Sequence, residues 1–403
     1  MNGPIEVIRS NEIPDYRNLE SLFGWSEGKA RLDIDRVSYG GVEGAILCYC
    51  NPPVHQVGNP GLDAYLQGLD KVAGMKDRLA FLLLCGSNDP VHAGGDLKES
   101  LTRLDQTLEA VKEKEAAGAP AEEIDRLYDW ADGRLEKGIG LHRQVRDLCG
   151  EMRVVAVCGG GTRFGGSAEI PLMADYLVGD SRSGMCFSEA MIGLIPGWSG
   201  IARALIKAGP VNAAFMAKTS REVKGPDLGR IGIYNAVVDV PLPFPKKERT
   251  DDPEGDKARY LEALAAHDRE TALRMLPEAL HLAICPEEDI HLVADADRPT
   301  LASEDDIASE VGRRVDPKTY KGLYGKPLRE VREEIGRLGR PLAPQSIEAL
   351  DTLLSNASSS SFDETAFVRN EMEADARLYR DRRFRAGLVA TLGQSVADYR
   401  RRE

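Results

Sequence analysis

Residues 154–200, VVAVCGGGTRFGGSAEIPLMADYLVGDSRSGMCFSEAMIGLIPGWSG, constrain this chain more than any other stretch. They open with a β-branched run at 154–157 that suits a buried strand. Glycines follow at 159, 160, 161, 165 and 166, and then a helix-like segment over 167–174. That segment carries Glu169 among Ala168, Ile170, Leu172 and Met173; a second acid, Glu189, precedes another glycine turn. A carboxylate among apolar side chains needs a partner or a chemical task. Two of them, each beside glycine-rich turns, point to a site. The plainer alternatives are an ion pair of Glu169 with Arg163 and a place for Glu189 outside any site.

The flanking sequence reads as an α/β arrangement. Residues 1–30 are polar and irregular and read as an arm. Strand patterns occupy 31–37 and 44–50, a helix covers 62–75 with Asn59-Pro60 at its start, and a third strand covers 79–85. Strand, helix, strand in this order predicts a parallel sheet with crossovers. After the loop 86–96, Leu101, Leu104, Leu108 and Val111 recur at helical spacing, Gly118-Ala119-Pro120 breaks the run, and Ile124, Leu127 and Leu135 resume it. This predicts a helical hairpin inserted at about 99–137, either packed on the surface or acting as a lid, with Tyr128 and Trp130 placed to cover a pocket mouth. A further helix is expected over 139–149.

Beyond residue 200, helices are expected at 201–208 and 211–218, the second opened by Pro210. Segments 228–231 and 236–240 close the first domain. Prolines and charges make 241–256 a linker. The rest reads as helix, at about 257–280, 303–313, 328–337 and 345–355, with a polar break at 358–361 and one long amphipathic run over 363–400. That stripe must pack on its own core or on a neighbour.

The chain has 403 residues, enough for a large domain plus a second unit. A net charge of −13 argues against nucleic acid as a partner. No apolar run reaches the ~18 residues of a membrane span, and the N-terminus lacks a secretory pattern. The seven cysteines fall mostly in strand-like runs with no zinc spacing, so reduced thiols, a cytoplasmic location and no metal are expected.

Two glycine stations carry the chemistry. One is Ala93-Gly94-Gly95-Asp96 and the other Gly165-Gly166, ahead of Glu169. Glycine lets backbone N–H groups approach a ligand, and a helix N-terminus favours negative charge. One N–H from each station would hold a carbonyl oxygen as it becomes an enolate. A dinucleotide fingerprint fails, because Phe164 stands where its last glycine belongs. Asp96 fits the N-cap of the following helix. His92 is a candidate base that fits loop packing better.

Residues 31–240 resemble the crotonase superfamily of enoyl-CoA hydratases and isomerases. The motifs are the loop His92-Ala93-Gly94-Gly95-Asp96-Leu97-Lys98, the run Gly165-Gly166-Ser167-Ala168-Glu169, and the run 187–197, FSEAMIGLIPG, with Glu189. The resemblance implies a crotonase-like β-β-α spiral core, with the inserted hairpin and an extended helical C-terminal region over 257–403 as additions. It implies oxyanion donors on the N–H groups of Ala93 and Gly166 and catalytic carboxylates at Glu169 and Glu189. CoA, as part of the substrate and with no separate cofactor, would lie against Ala93, Gly94, Asp96, Gly165, Gly166 and Trp198. The activity implied is addition of water to an acyl-CoA or its reversal. The alternatives are hydrolysis (3-hydroxyisobutyryl-CoA hydrolase-like or ring-cleaving), double-bond isomerisation and cofactor-free oxygenation. A homotrimer or hexamer is implied as well. The chain departs from the family at Ser167, where a third glycine is usual, at Trp198, at Asn51-Pro52-Pro53, and in the length of the insertion and of the C-terminal region.

Overall fold

The computed structural model describes residues 20–357 and 362–400. Most of the expected arm and the polar break at 358–361 therefore lie outside the described residues. The end of the arm is a strand: β1 (Glu20–Glu27) pairs antiparallel with β2 (Ala30–Tyr39), which pairs antiparallel with β3 (Val42–Cys50). Helix α1 (Asn59–Ala73), with Pro60 in its first turn, crosses to β4 (Phe81–Gly86), parallel to β3.

The loop after β4 holds a short strand, β5 (Val91–His92), which sequence alone leaves as a turn. The insertion follows as α2 (Leu97–Ala116), α3 (Ala121–Asp125) and α4 (Asp129–Cys149). The two helices expected around 124–135 and 139–149 are joined, because α4 runs unbroken from Asp129. Then come β6 (Arg153–Cys158), β7 (Thr162–Phe164), α5 (Gly166–Leu172), β8 (Tyr176–Asp180) and β9 (Gly184–Cys186). Helix α6 (Gly200–Thr219) kinks at Gly209, φ 79°, just before Pro210. β10 (Val223–Lys224), α7 (Gly225–Arg230) and β11 (Ala236–Val238) complete the core.

The seven-stranded sheet has the order β1-β2-β3-β4-β6-β8-β11, parallel from β3 onward, and a small second sheet has the order β10-β9-β7-β5. This is the β-β-α spiral. Central parallel strands are buried on both faces, so they read as continuous apolar runs. Leu82, Leu84, Val154, Ala156 and Leu177 join the main core with α1, α4, α5 and α6. Phe81, Leu83, Val155, Val157 and Val178 look to the other side, onto Met275, Leu276, Ala279 and Leu280. Those four belong to α8 (Pro253–Ile284), so the first helix after the expected linker is the second layer of the core.

The remaining helices are α9 (Glu304–Val315), α10 (Arg332–Leu338), α11 (Pro344–Asn356), α12 (Glu364–Tyr379) and α13 (Arg382–Leu392). The amphipathic run 363–400 is thus two helices and a tail, interrupted at Arg380-Asp381, where Asp381 caps α13. Its apolar stripe, with Phe367, Leu378, Phe384 and Leu388, packs on the chain's own core. Ion pairs from Arg380 to Asp132 and Asp125, and from Arg385 to Asp105, fasten α12 and α13 to the insertion. The hairpin is therefore held between the core and the C-terminal helices.

Two glycines of α4 test this packing. The Trp198 indole lies against Gly138, where an added Cβ would overlap the ring, whereas a Cβ on Gly133 meets nothing. We expect Gly138→Ala to destabilise by about 1–3 kcal/mol through overpacking. Gly133→Ala should stabilise by about 0.5–1 kcal/mol through helix propensity. Urea unfolding of the two variants measures both.

Candidate active site

The two glycine stations and the two acids meet in one cavity of about 280 Å³, lined among others by Ala93, Gly95, Gly165, Gly166, Glu169, Glu189 and Trp198. Its first edge is the turn between β5 and α2. Gly94 there has φ 77°, and its α-carbon lies against the carbonyl of Phe164, so any side chain would clash. The Gly94 N–H donates to Ser167 Oγ at 3.0 Å. Ser167, the departure from the glycine triplet, thus ties the first station to the second. Asp96 caps α2 as expected, accepting from the N–H groups of Lys98 and Glu99 at 3.0 Å each.

The donor expected at Ala93 is engaged elsewhere. Ala93 lines the cavity, but its N–H donates to Val54 O at 2.7 Å. Gly95, two residues on, also lines the cavity, and its N–H has no acceptor among the described residues. A motif does not reveal this; the signal lies in which carbonyls the preceding loop brings alongside. Gly166 opens α5, so its N–H has no intrahelical acceptor. The Trp198 indole covers the Gly166 α-carbon closely enough to exclude a side chain. The bulky residue after the Pro-Gly turn is accommodated by glycines at 138 and 166.

Glu169 is 2 % exposed and Glu189 8 %. Among the described residues Glu169 has no cation partner: its Oε2 accepts from the backbone N–H groups of Trp198 at 2.8 Å and Gly200 at 2.9 Å. Arg163 donates instead to Gly159 O. Burial pushes the Glu169 carboxyl up to about 7, against the pull of those N–H groups. Glu189 is pushed well above the ordinary carboxylate range by burial and then by the neighbouring charge of Glu169. Its Oε1 lies over Gly165, and its Oε2 is buried with no hydrogen-bond partner. Burial thus raises both carboxyls of one cavity, and their mutual repulsion disfavours ionising the two together.

Sequence reasoning missed residues that distant segments bring to the same cavity. Asp375 and Tyr379 come from α12 and Arg134 from α4. Asp375 Oδ1 accepts from Ile195 N–H at 3.0 Å, and its carboxyl is raised by burial and by Glu169. Neighbouring Glu371 accepts from Ile201 and Ala202, so α12 carboxylates bracket the turn that holds Glu169. Tyr128 and Trp130 do not line the cavity; Trp130 packs edge-on against Tyr379, and Arg380 lies over the Tyr128 ring. His92 belongs to a separate small cavity with His55 and Arg163. Periodicity marks α12 as amphipathic, but it gives no hint that its acids face a glycine turn far back in the chain.

No family model matches the chain. Over 180 residues it is 27% identical to the fatty acid oxidation complex subunit alpha of Idiomarina loihiensis, a match covering 44% of this chain and 21% of that protein. Over 123 residues it is 29% identical to a probable enoyl-CoA hydratase of Rhizobium meliloti, covering 30% of this chain and 46% of that one. The chain therefore spans less than half the length of either curated relative. An enoyl-CoA hydratase structure from Rhodobacter sphaeroides superposes with a TM-score of 0.50 at 14% identity, covering 87% of this chain and 86% of the other. The chain shares the fold of that structure, a crotonase-like spiral. The spiral is the crotonase-like part of the fold; the insertion and helices α12 and α13 add walls to the cavity. All seven cysteines are free. Among the described residues no helix is long and apolar enough to cross a membrane, and no cluster of His, Cys, Asp or Glu could hold a metal ion.

The raised Glu169 carboxyl gives a pH dependence with a definite sign. Its proton is bound more tightly in the folded than in the unfolded chain, so its contribution to stability is complete below about 4.5 and is lost as pH rises to about 7. Unfolding free energy should fall across that window. Glu169→Gln should flatten the decline, as read from urea denaturation at a series of pH values.

Proposed function

We propose that this crotonase-fold protein is an enoyl-CoA hydratase-like lyase. The observation that carries the reading is a single cavity holding two buried glutamates, both raised by burial, beside the N–H groups of Gly95 and Gly166. An acyl-CoA thioester would place its carbonyl oxygen between those two donors, Gly95 taking the role that the motif suggested for Ala93. Fixed donors meet the charge that develops on this oxygen, and losing one such donor costs about 10²–10³ in rate. Glu169 takes a proton from a water held between the acids; Glu189, whose carboxyl burial pushes upward, delivers one to the α-carbon. The addition conserves atoms: hydroxide joins the β-carbon and a proton the α-carbon. Gly94, Asp96, Gly165 and Trp198 would shape the bed for the thioester without acting in the proton transfers.

Enoyl-CoA esters of several sizes, followed for both absorbance and free thiol, test the reaction type. Loss of the conjugated double bond without thiol supports hydration. Thiol release moves the assignment to the hydrolase alternative, and a shifted double bond to isomerase. Glu169→Gln and Glu189→Gln should each lower turnover by at least ~10². The double variant should be about as slow as the slower single one, because the two act in one step. A loss under about threefold in either single variant excludes the two-glutamate mechanism.

The proposal includes a cytoplasmic enzyme assembled as a trimer or hexamer. Light scattering should then return three or six times the 44.0 kDa of one chain.

A further inference from the structure

The cavity contains polar groups that adding water to a plain alkenoyl chain leaves unused. Arg134 is 3 % exposed, Asp375 2 % and Tyr379 5 %, and all three line it. Arg134 Nη2 donates to Val57 O at 3.2 Å, while Nη1 is buried without a hydrogen-bond partner. The guanidinium packs beside Gly95, at 2.7 Å from where a Cβ would stand, and lies 5.7 Å from the centre of the Trp198 ring. Asp375 engages only Oδ1, through Ile195 N–H; its Oδ2 lies over Gly197, 2.5 Å from where a Cβ would stand. The Tyr379 hydroxyl makes no hydrogen bond among the described residues, while its ring is fixed between Trp130 and Phe384. Arg134 and Asp375 flank the same tryptophan and glycine turn that positions Glu169, and Tyr379 lines the same cavity.

A hydrocarbon chain filling this space would displace water and leave those groups without partners, which is costly for each. A substrate that supplies a hydrogen-bonding oxygen there removes the cost. The chemistry also limits the kind of oxygen. Three carboxyl groups, Glu169, Glu189 and Asp375, line the cavity, and Glu99 Oε2 stands 3.6 Å from Arg134 Nη1, answering its charge. With the Arg134 charge already answered by Glu99, a carboxylate on the substrate would be a buried charge without a cation of its own, whereas a neutral carbonyl or hydroxyl can accept from Arg134 and Tyr379, and a hydroxyl can donate to Asp375. We propose that Arg134, Asp375 and Tyr379 form a specificity subsite for a neutral oxygen carried on the acyl group beyond the two carbons that react. The inference rests on the acyl-CoA reading above and names its substrate class: oxo- or hydroxyacyl-CoA esters.

The test measures binding, so it does not depend on which reaction follows. Pentanoyl-CoA, 4-oxopentanoyl-CoA and glutaryl-CoA are titrated calorimetrically into the intact protein. The oxo ester should bind at least about tenfold tighter than the alkyl ester, with the glutaryl ester weaker than the oxo ester. Tyr379→Phe and Arg134→Met, each of which removes a donor to the oxo group and is checked for an unchanged circular dichroism spectrum, should each reduce that preference at least about threefold. A wild-type preference under about threefold, or a preference that neither variant reduces, overturns the subsite and leaves the acyl-CoA reading standing. If none of the three esters binds, the acyl-CoA reading itself fails, and the subsite fails with it.

Discussion

The carboxylate of Glu169, held by the N–H groups of Trp198 and Gly200, is the contact on which the site depends. It joins α5, which opens at the second glycine station, to the turn that opens α6. In doing so it fixes the position of Trp198, whose ring then rests on both Gly166 and Gly138. An acid that contacts only neutral N–H groups in a buried place is neither fully stabilised as an anion nor fully suppressed. That compromise leaves its acidity near neutrality, where a proton acceptor is most useful. A salt bridge to Arg163 would have removed the compromise, and the structure sends Arg163 to Gly159 O instead.

The core was legible in the sequence because it obeys local rules. Continuous apolar strands signalled a sheet buried on both faces, Asn59-Pro60 marked a helix start, and Pro210 marked the point where α6 kinks. Both glutamates could be singled out, since an acid amid Ala, Ile, Leu and Met is anomalous on local grounds alone. Ser167 looked like a defect in a glycine motif and proved to be a tie between two loops.

What sequence could not show was set by partners distant in the chain. Ala93 is engaged because Val54 O lies beside it, a fact of loop path and not of motif. The strand at Glu20–Glu27 has exposed and half-buried positions only, so its apolar signal is weak, and pairing with β2 defines it. Asp375 and Glu371 sit on an ordinary amphipathic helix, and only the docking of α12 on the 195–202 backbone turns them inward. The helix after the expected linker failed to separate as an appendix because the back of the sheet needs it, as Met275 and Leu280 show.

The walls of the cavity come from residues near 95, 134, 166, 198 and 375–384, so they cannot be assembled by neighbours in sequence. Contacts closed over such long separations are reached late in folding, after the sheet has local reasons to form. During synthesis the spiral can be complete while the chain that becomes α12 has not left the ribosome. Until then Ile195 N–H lacks its acceptor, and the apolar floor at Met191, Ile192 and Leu194 faces water. The docking of α12 therefore does two things at once: it completes the wall of the cavity and it covers apolar surface that the spiral alone would leave exposed.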